Sequence, residues 1–266
     1  MPGEDAYKKR GIRGRVWKFY RHHVRDHISD FVVRQRLKLL WMGWGYWRVL
    51  APSVLPVHRR IWLVARFLRV DWKVLHAHKP IEIGYMLRDL ASRRANPGEV
   101  VVEAGCWQGG STAKFSLMCR ELGYGLEVYD SFEGVSAHDV RAGETDFSGT
   151  YAAAEELVRR NVAELGAIEV CTFHKGWFSD TLRNDGVGHP TRMLYIDCDI
   201  IDGTTDALTG GLPELVDDSL VYSQDFHIPA VREYLEDPAT WAAFDRGPAR
   251  LTPLAWNLVR VEVPPA

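Results

Sequence analysis

The sequence predicts an α/β protein, a mostly parallel sheet with helices on both faces, preceded by a basic helical extension. Three observations predict it. After Asn96-Pro97-Gly98, short apolar runs alternate with stretches of helical periodicity, the pattern of parallel strands joined by crossover helices. Glycine-rich or acidic clusters follow those runs, where open α/β sheets hold their ligands. The charge is also divided: residues 1–95 hold 21 lysines and arginines against 7 acidic residues, and residues 96–266 hold 12 against 28. A net charge of −2 conceals this split.

Hydrophobic residues at 46% and charged residues at 26% exclude collagen-like, low-complexity and disordered chains. Four cysteines without a C-x-x-C pair read as reduced thiols, which places the protein in the cytoplasm. Residues 1–80 form the expected extension and residues 81–266 the expected catalytic domain. The extension holds six of the ten tryptophans, and its expected helices cover residues 13–33, 35–49 and 57–70. Its most apolar stretch, residues 39–56, is interrupted by Arg48, Pro52 and Pro56 and falls short of the roughly 20 residues that span a bilayer. Arginines interleaved with tryptophan and leucine suit packing on the domain, a homodimer contact, or the surface of an anionic membrane at its inner face. Nucleic-acid binding is not expected, because no recognition motif accompanies the basic residues.

In the second part, expected strands cover residues 100–104, 126–129, 168–173, 193–196 and 220–223. Expected helices cover 111–122, 151–165, 204–215 and 229–244. Two last apolar runs, 251–256 and 258–263, read as a closing hairpin. The first strand runs into Glu103-Ala-Gly105-Cys-Trp107-Gln-Gly109-Gly110-Ser111-Thr112. Glycines let backbone approach a ligand, and Ser111 or Thr112 can cap the helix that follows. The spacing is not the G-x-G-x-x-G of dinucleotide folds. It suits an amino-acid-bearing nucleoside such as S-adenosylmethionine, with Glu103 accepting from an ammonium or hydroxyl group. The second strand ends Asp130-Ser131-Phe132, where a carboxylate accepts from ribose hydroxyls and an aromatic ring can flank adenine. The third leads to Gly176-Trp177-Phe178, an aromatic wall or simply a packed loop.

The fourth strand delivers Asp197-Cys198-Asp199 and the fifth Gln224-Asp225-Phe226-His227. Alternation along an extended chain would put both Asp197 and Asp199 on one side. The two strands converge Asp197, Asp199 and Asp225 with the Gln224 amide, oxygen-only ligands that suit a hard cation, Mg²⁺ above all; helix capping is the alternative.

These motifs resemble the macrocin O-methyltransferase family. The resemblance runs from about residue 100 to 226 and rests on VVEAGCWQGGST, YDSFEG, AAAEELVRRNVAELG, HKGWFSDTL and YIDCDIIDGTTDAL. It implies a class I, Rossmann-like methyltransferase fold of seven strands, the last antiparallel. It implies S-adenosylmethionine contacts at Glu103, Gly105, Gly109, Gly110, Asp130, Ser131, Phe132, Gly176, Trp177 and Phe178; Trp107, Ser111 and Asp197 belong to the same expected set. Asp197 corresponds to a metal ligand and Asp199 to the residue proposed as base in relatives. Where the family has two adjacent aspartates this chain has Gln224 and Asp225, so Mg²⁺ affinity is expected to fall. Asp199 is the preferred general base, with His138 and His227 as runners-up. The expected reaction is methyl transfer to a hydroxyl of a saccharide, glycosylated metabolite or glycolipid. The alternatives are a non-catalytic or metal-independent cofactor-binding relative, and a methyltransferase of catechol-like hydroxyls.

Overall fold

Seven strands form one sheet in the order β3-β2-β1-β4-β5-β7-β6 in the computed structural model, which describes residues 31–136, 140–141 and 144–264, with side chains from residue 39. The strands are β1 Val100–Ala104, β2 Gly125–Asp130, β3 Cys171–Lys175, β4 Thr191–Ile196, β5 Leu215–Ser223, β6 Arg250–Pro253 and β7 Val259–Glu262. The first five pair in parallel, and β7 runs antiparallel between β5 and β6. This is the Rossmann-like class I methyltransferase arrangement expected above, closed by the expected hairpin.

The chain divides into two compact units, residues 1–44 and 45–266. Of the first unit, the described part is the beginning of helix α1, Phe31–Leu50. The expected helix over 13–33 lies almost wholly outside the described residues. No helix among the described residues is long and apolar enough to cross a membrane.

In the second unit, period-two alternation in the central strands sorts side chains into two layers. Val101, Met193, Tyr195 and Tyr222 face a core shared with α2 Val57–Lys73, α3 Pro80–Leu90, α4 Gly110–Leu122 and α5 Glu155–Leu165. Val100, Val102, Ala104, Leu194 and Ile196 face α6 Ile201–Gly211, α7 Pro229–Glu236 and α8 Pro238–Ala242. Helix α2 buries Leu63, Phe67 and Val70, spaced one turn apart on a single stripe.

The basic residues of α2 meet the acidic part of the chain. Arg59 grips buried Glu121 with two hydrogen bonds of 2.6 Å, Arg66 donates to the Leu165 carbonyl at 2.7 Å, and Lys73 pairs with Glu164 at 3.0 Å. The guanidinium carbons of Arg59, Arg66 and Arg120 lie 5.1–5.8 Å from the Trp62 ring centroid. The Lys73 link and a second to Glu164, from Arg69 at 3.4 Å, are solvent-exposed and contribute little, but Glu121 is buried and depends on its partner. Arg59→Ala is therefore expected to cost about 1–3 kcal/mol, lowering the melting temperature by roughly 2–10 °C in a thermal scan.

Several element boundaries depart from expectation for local reasons. Residues 168–170 form a 3₁₀ turn before β3 rather than its first half. Helix α5 starts at Glu155, because Tyr151 sits in a turn with φ +58°. Helix α6 spans Ile201–Gly211, so Leu215 begins β5 and the expected strand 220–223 is only its second half. The expected helix 229–244 breaks at Asp237-Pro238: proline lacks the N–H and holds Asp237 extended, at φ −75°, ψ 120°. Helix α3 has no counterpart among the expected elements.

Candidate active site

The carboxyl ends of β1, β2, β4 and β5 open into one cleft. Its floor is the turn after β1. Gly105 has φ +92°, and a Cβ there would lie 2.0 Å from the Asp197 carbonyl oxygen, so only glycine lets β1 and β4 leave the sheet side by side. Gly109, at φ +81°, starts α4, and a Cβ would come within 3.0 Å of Val158. Asn161 on α5 donates to the Gln108 carbonyl at 2.9 Å and pins the turn from below.

Asp130 does more for this turn than the sequence indicates. Its Oδ2 accepts from the Cys106 and Trp107 amides at 2.8 and 3.3 Å, and Oδ1 accepts from the Phe132 amide at 2.7 Å. The carboxylate thus ties the second strand's end to the first, with lone pairs left over for a diol. Glu103 is fully buried beneath the turn. Neither of its oxygens has a hydrogen-bond partner, and burial pushes its carboxyl up to about 8, against the pull of the nearby Ser111 and Thr112 hydroxyls.

The structure brings Gly105, Trp107, Gly110, Ser111, Asp130, Ser131, Gly176, Trp177, Phe178 and Asp197 to the cleft wall. It does not bring Phe132 there. The ring is 6% exposed and packs in the core, because a φ of +60° turns the residue inward. Glu103 and Gly109 lie under the wall rather than on it.

Asp197, Asp199, Gln224, Asp225 and His227 line the same cleft. The expected alternation of the two aspartates does not hold. Strand β4 ends at Ile196, and Asp199 adopts φ +62°. Asp225 holds that bend in place, its Oδ2 accepting from the Cys198 and Asp199 amides at 2.9 Å each. Tyr195 donates its hydroxyl to Asp197 Oδ2 at 2.9 Å. Burial first, and then the mutual repulsion of the carboxylates, raises Asp197 far above the ordinary range. Asp225 is also raised by burial, while the two amides pull it back down. Burial and the neighbouring Asp225 push Asp199 up to about 8. His227 is exposed at the mouth, and His138 lies outside the described residues.

Two parts of the cleft escape sequence reasoning. Tyr151, at the expected start of a helix, stands instead at the rim with its ring edge-on to Trp107 at 5.4 Å. Burial and the three aspartates raise its phenol. Residues 75–78, within the expected extension, form another wall. Behind them Asp71 gathers Tyr46, His76 and Lys114, and Lys114 Nζ lies 2.8 Å from His78 Nε2. Asp71, His76 and His78 are spaced as metal ligands, but the Lys114 ammonium already stands among them as their cation. Helix α3 follows directly. Its signal is present in the sequence, since Pro80 suits the first helical position and Glu82, three residues after Lys79, accepts from the Lys79 amide at 2.7 Å, one half of a capping box.

The profile of the macrocin-O-methyltransferase (TylF) family matches residues 87–240, more than half of the chain. The chain belongs to that family. A curated relative, the 8-demethyl-8-(2,3-dimethoxy-alpha-L-rhamnosyl)-tetracenomycin-C 4'-O-methyltransferase of Streptomyces olivaceus, is 32% identical over 152 residues. The match covers 53% of this chain, which spans 58% of the relative's length. Among solved structures, the O-methyltransferase NovP superposes with a TM-score of 0.61 at 21% identity, covering 86% of this chain and 99% of that one. NovP shares the fold. The matched range, residues 87–240, contains the glycine turn, Asp130, Asp197, Asp199, Gln224 and Asp225.

Proposed function

We propose that this macrocin-O-methyltransferase family member transfers the methyl group of S-adenosylmethionine to a hydroxyl of a saccharide-bearing acceptor. Asp199 acts as general base, and Asp197, Gln224 and Asp225 hold a divalent cation, Mg²⁺ by preference. One observation carries the reading: the glycine turn and the oxygen donors that follow β4 and β5 line a single cleft. The acceptor class comes from the Streptomyces olivaceus relative, whose name specifies the 4' hydroxyl of a rhamnosyl group.

The residues present fit the cofactor. The turn offers backbone where any side chain at Gly105 would collide, and Asp130 stands on the cleft wall at the end of β2. S-adenosylmethionine supplies an activated methyl group on a sulfonium. The protein's task is alignment, exclusion of water and removal of one proton from the acceptor. Trp107, Trp177 and Phe178 give the cleft apolar walls, and Tyr151 stands where the acceptor enters. Asp199 takes the hydroxyl proton; a group raised to about 8 holds a proton more firmly than an ordinary aspartate, which suits a weakly acidic alcohol.

The donor set also fits a hard cation. Two carboxylates and an amide carbonyl offer oxygen alone, and the raised aspartates are a repulsion that a divalent charge relieves. Such a cation lowers a bound hydroxyl's pKa and fixes its orientation. Because Asp197 and Asp225 are raised in the fold, protonation favours the fold without metal. That contribution is present below the unfolded value of about 3.9 and is lost as pH rises through the raised values. Mg²⁺ is therefore expected to raise the melting temperature more at pH 8 than at pH 6. An equal shift at both pH values would count against these ligands.

The deciding assay follows radiolabelled methyl transfer from S-adenosylmethionine to rhamnosides and other glycosides, with and without chelator. Label in catechols but in no sugar hydroxyl would sink the saccharide reading. Unchanged transfer in chelator would sink the cation.

A further inference from the structure

Gln224 is 4% exposed, yet its two amide atoms are treated very differently. Nε2 donates to Glu82 Oε2 at 3.0 Å, while Oε1 is buried and has no hydrogen-bond partner. Glu82 comes from α3, far from the strand ends in sequence, and is fully buried. The same Oε2 accepts from the Lys79 amide at 2.7 Å, and the Lys79 ammonium lies 3.8 Å from Oε1. The Lys79 and Gln224 donors both reach Oε2, while Oε1 has no hydrogen-bond partner, so toward the Gln224 amide Glu82 acts as an acceptor. A carboxylate offers no proton, so the amide must present its NH₂ to Glu82 and turn its carbonyl oxygen the other way. A buried carbonyl oxygen left unpaired costs about 1–3 kcal/mol unless a ligand satisfies it. Gln224 lines the cleft that also holds Asp197 and Asp225.

We infer that Glu82 is a positioning residue for the cation site: its bond to Gln224 Nε2 fixes the amide so that Oε1 serves as an oxygen donor beside Asp197 and Asp225. The inference rests on the cation reading above and deepens it. Glu82 supplies, one residue removed from the cleft, the carboxylate that position 224 lacks. A carboxylate at 224 would instead face Glu82 across about 3 Å and repel it. The amide at 224 and the acid at 82 are therefore a matched donor and acceptor.

The test is calorimetric titration of Mg²⁺, and separately of Mn²⁺, into the full chain with S-adenosylhomocysteine present. It compares wild type, Glu82→Leu, Glu82→Gln and Gln224→Glu, with melting temperatures measured alongside. Losing an orienting partner of a metal ligand weakens affinity roughly 10–100-fold, which is the result expected for Glu82→Leu. Glu82→Gln keeps a carbonyl oxygen that accepts from both the Lys79 amide and Gln224 Nε2, so its affinity is expected to stay within a few-fold of wild type. Gln224→Glu is expected to melt lower than wild type. Wild-type affinity in a folded Glu82→Leu overturns the inference, as does a folded Glu82→Gln that binds metal poorly. Glu82→Gln keeps the test decisive if Glu82→Leu fails to fold. A wild-type chain that takes up neither metal removes the cation reading itself, an outcome distinct from a failure confined to Glu82.

Discussion

Asp199→Asn is expected to lower methyl transfer by about 10²–10⁴-fold, the usual contribution of a positioned general base, while leaving cofactor affinity within a few-fold of wild type. The substitution is well chosen for this backbone. Asp199 sits at φ +62°, and asparagine tolerates the left-handed region as well as aspartate does. The bend itself is held through the residue's own amide, which donates to Asp225, so the loop survives the change. A melting temperature close to wild type would verify that. The pH profile adds a second readout. An aspartate raised to about 8 is mostly protonated below that value and gains base character as pH rises toward it. Wild-type turnover should therefore climb with pH, along a limb that a cation held by Asp197 and Asp225 moves to lower pH by relieving the repulsion from Asp225, and the asparagine variant should lack this limb. A variant that keeps wild-type turnover with the same limb would move the base to another group, with His227 at the cleft mouth next in line.

The double bonding of Asp225 explains why this region tolerates so much like charge. Its Oδ2 accepts from two consecutive backbone amides, so one carboxylate of the cluster is stabilised by the main chain and shapes the loop that carries Asp199. Asp197 accepts from the Tyr195 hydroxyl and also hydrogen-bonds Asp225. The three aspartates thus differ in support: Asp225 holds the loop, Asp197 and Asp225 are raised chiefly by burial, and Asp199 is raised to about 8 by burial and the neighbouring Asp225.

The sheet is legible in the sequence because its strands are apolar runs punctuated by glycine and acid, and that punctuation is itself the site. Val100–Ala104 followed by E-x-G-x-x-x-G-G reads as strand and turn without any tertiary knowledge. The same logic places Asp130, Asp197 and Asp225. What escapes it is long-range. Nothing local to Phe132 says that its backbone turns left-handed and buries the ring. Nothing near Gln224 names Glu82 as its partner, 142 residues away. The charge split is visible, but not its resolution, in which α2 arginines close on Glu121, Leu165 and Trp62. Tyr151 precedes a run of alanines that favours a helix, yet its φ of +58° places it at the cleft rim.

Gly105→Ala is expected to cost about 4 kcal/mol or more, at the far end of single substitutions, and to abolish cofactor binding in whatever protein remains soluble. Two penalties combine at this position. The backbone, at φ +92°, is strained for any L side chain, worth about 1–3 kcal/mol. The new methyl would also sit 2.0 Å from the Asp197 carbonyl oxygen, a contact between two main chains that no side-chain rotation relieves. Gly98 separates the two terms. It has a similar φ of +81°, but nothing lies within 4 Å of its would-be Cβ. Gly98→Ala should therefore show the strain alone, about 1–3 kcal/mol, with cofactor affinity intact. The difference between the two melting temperatures then measures how tightly β1 and β4 are drawn together beneath the cofactor. If the two variants melted alike, the close approach of the Gly105 and Asp197 backbones would not be a feature of the protein in solution, and the glycine turn would owe its composition to conformation alone.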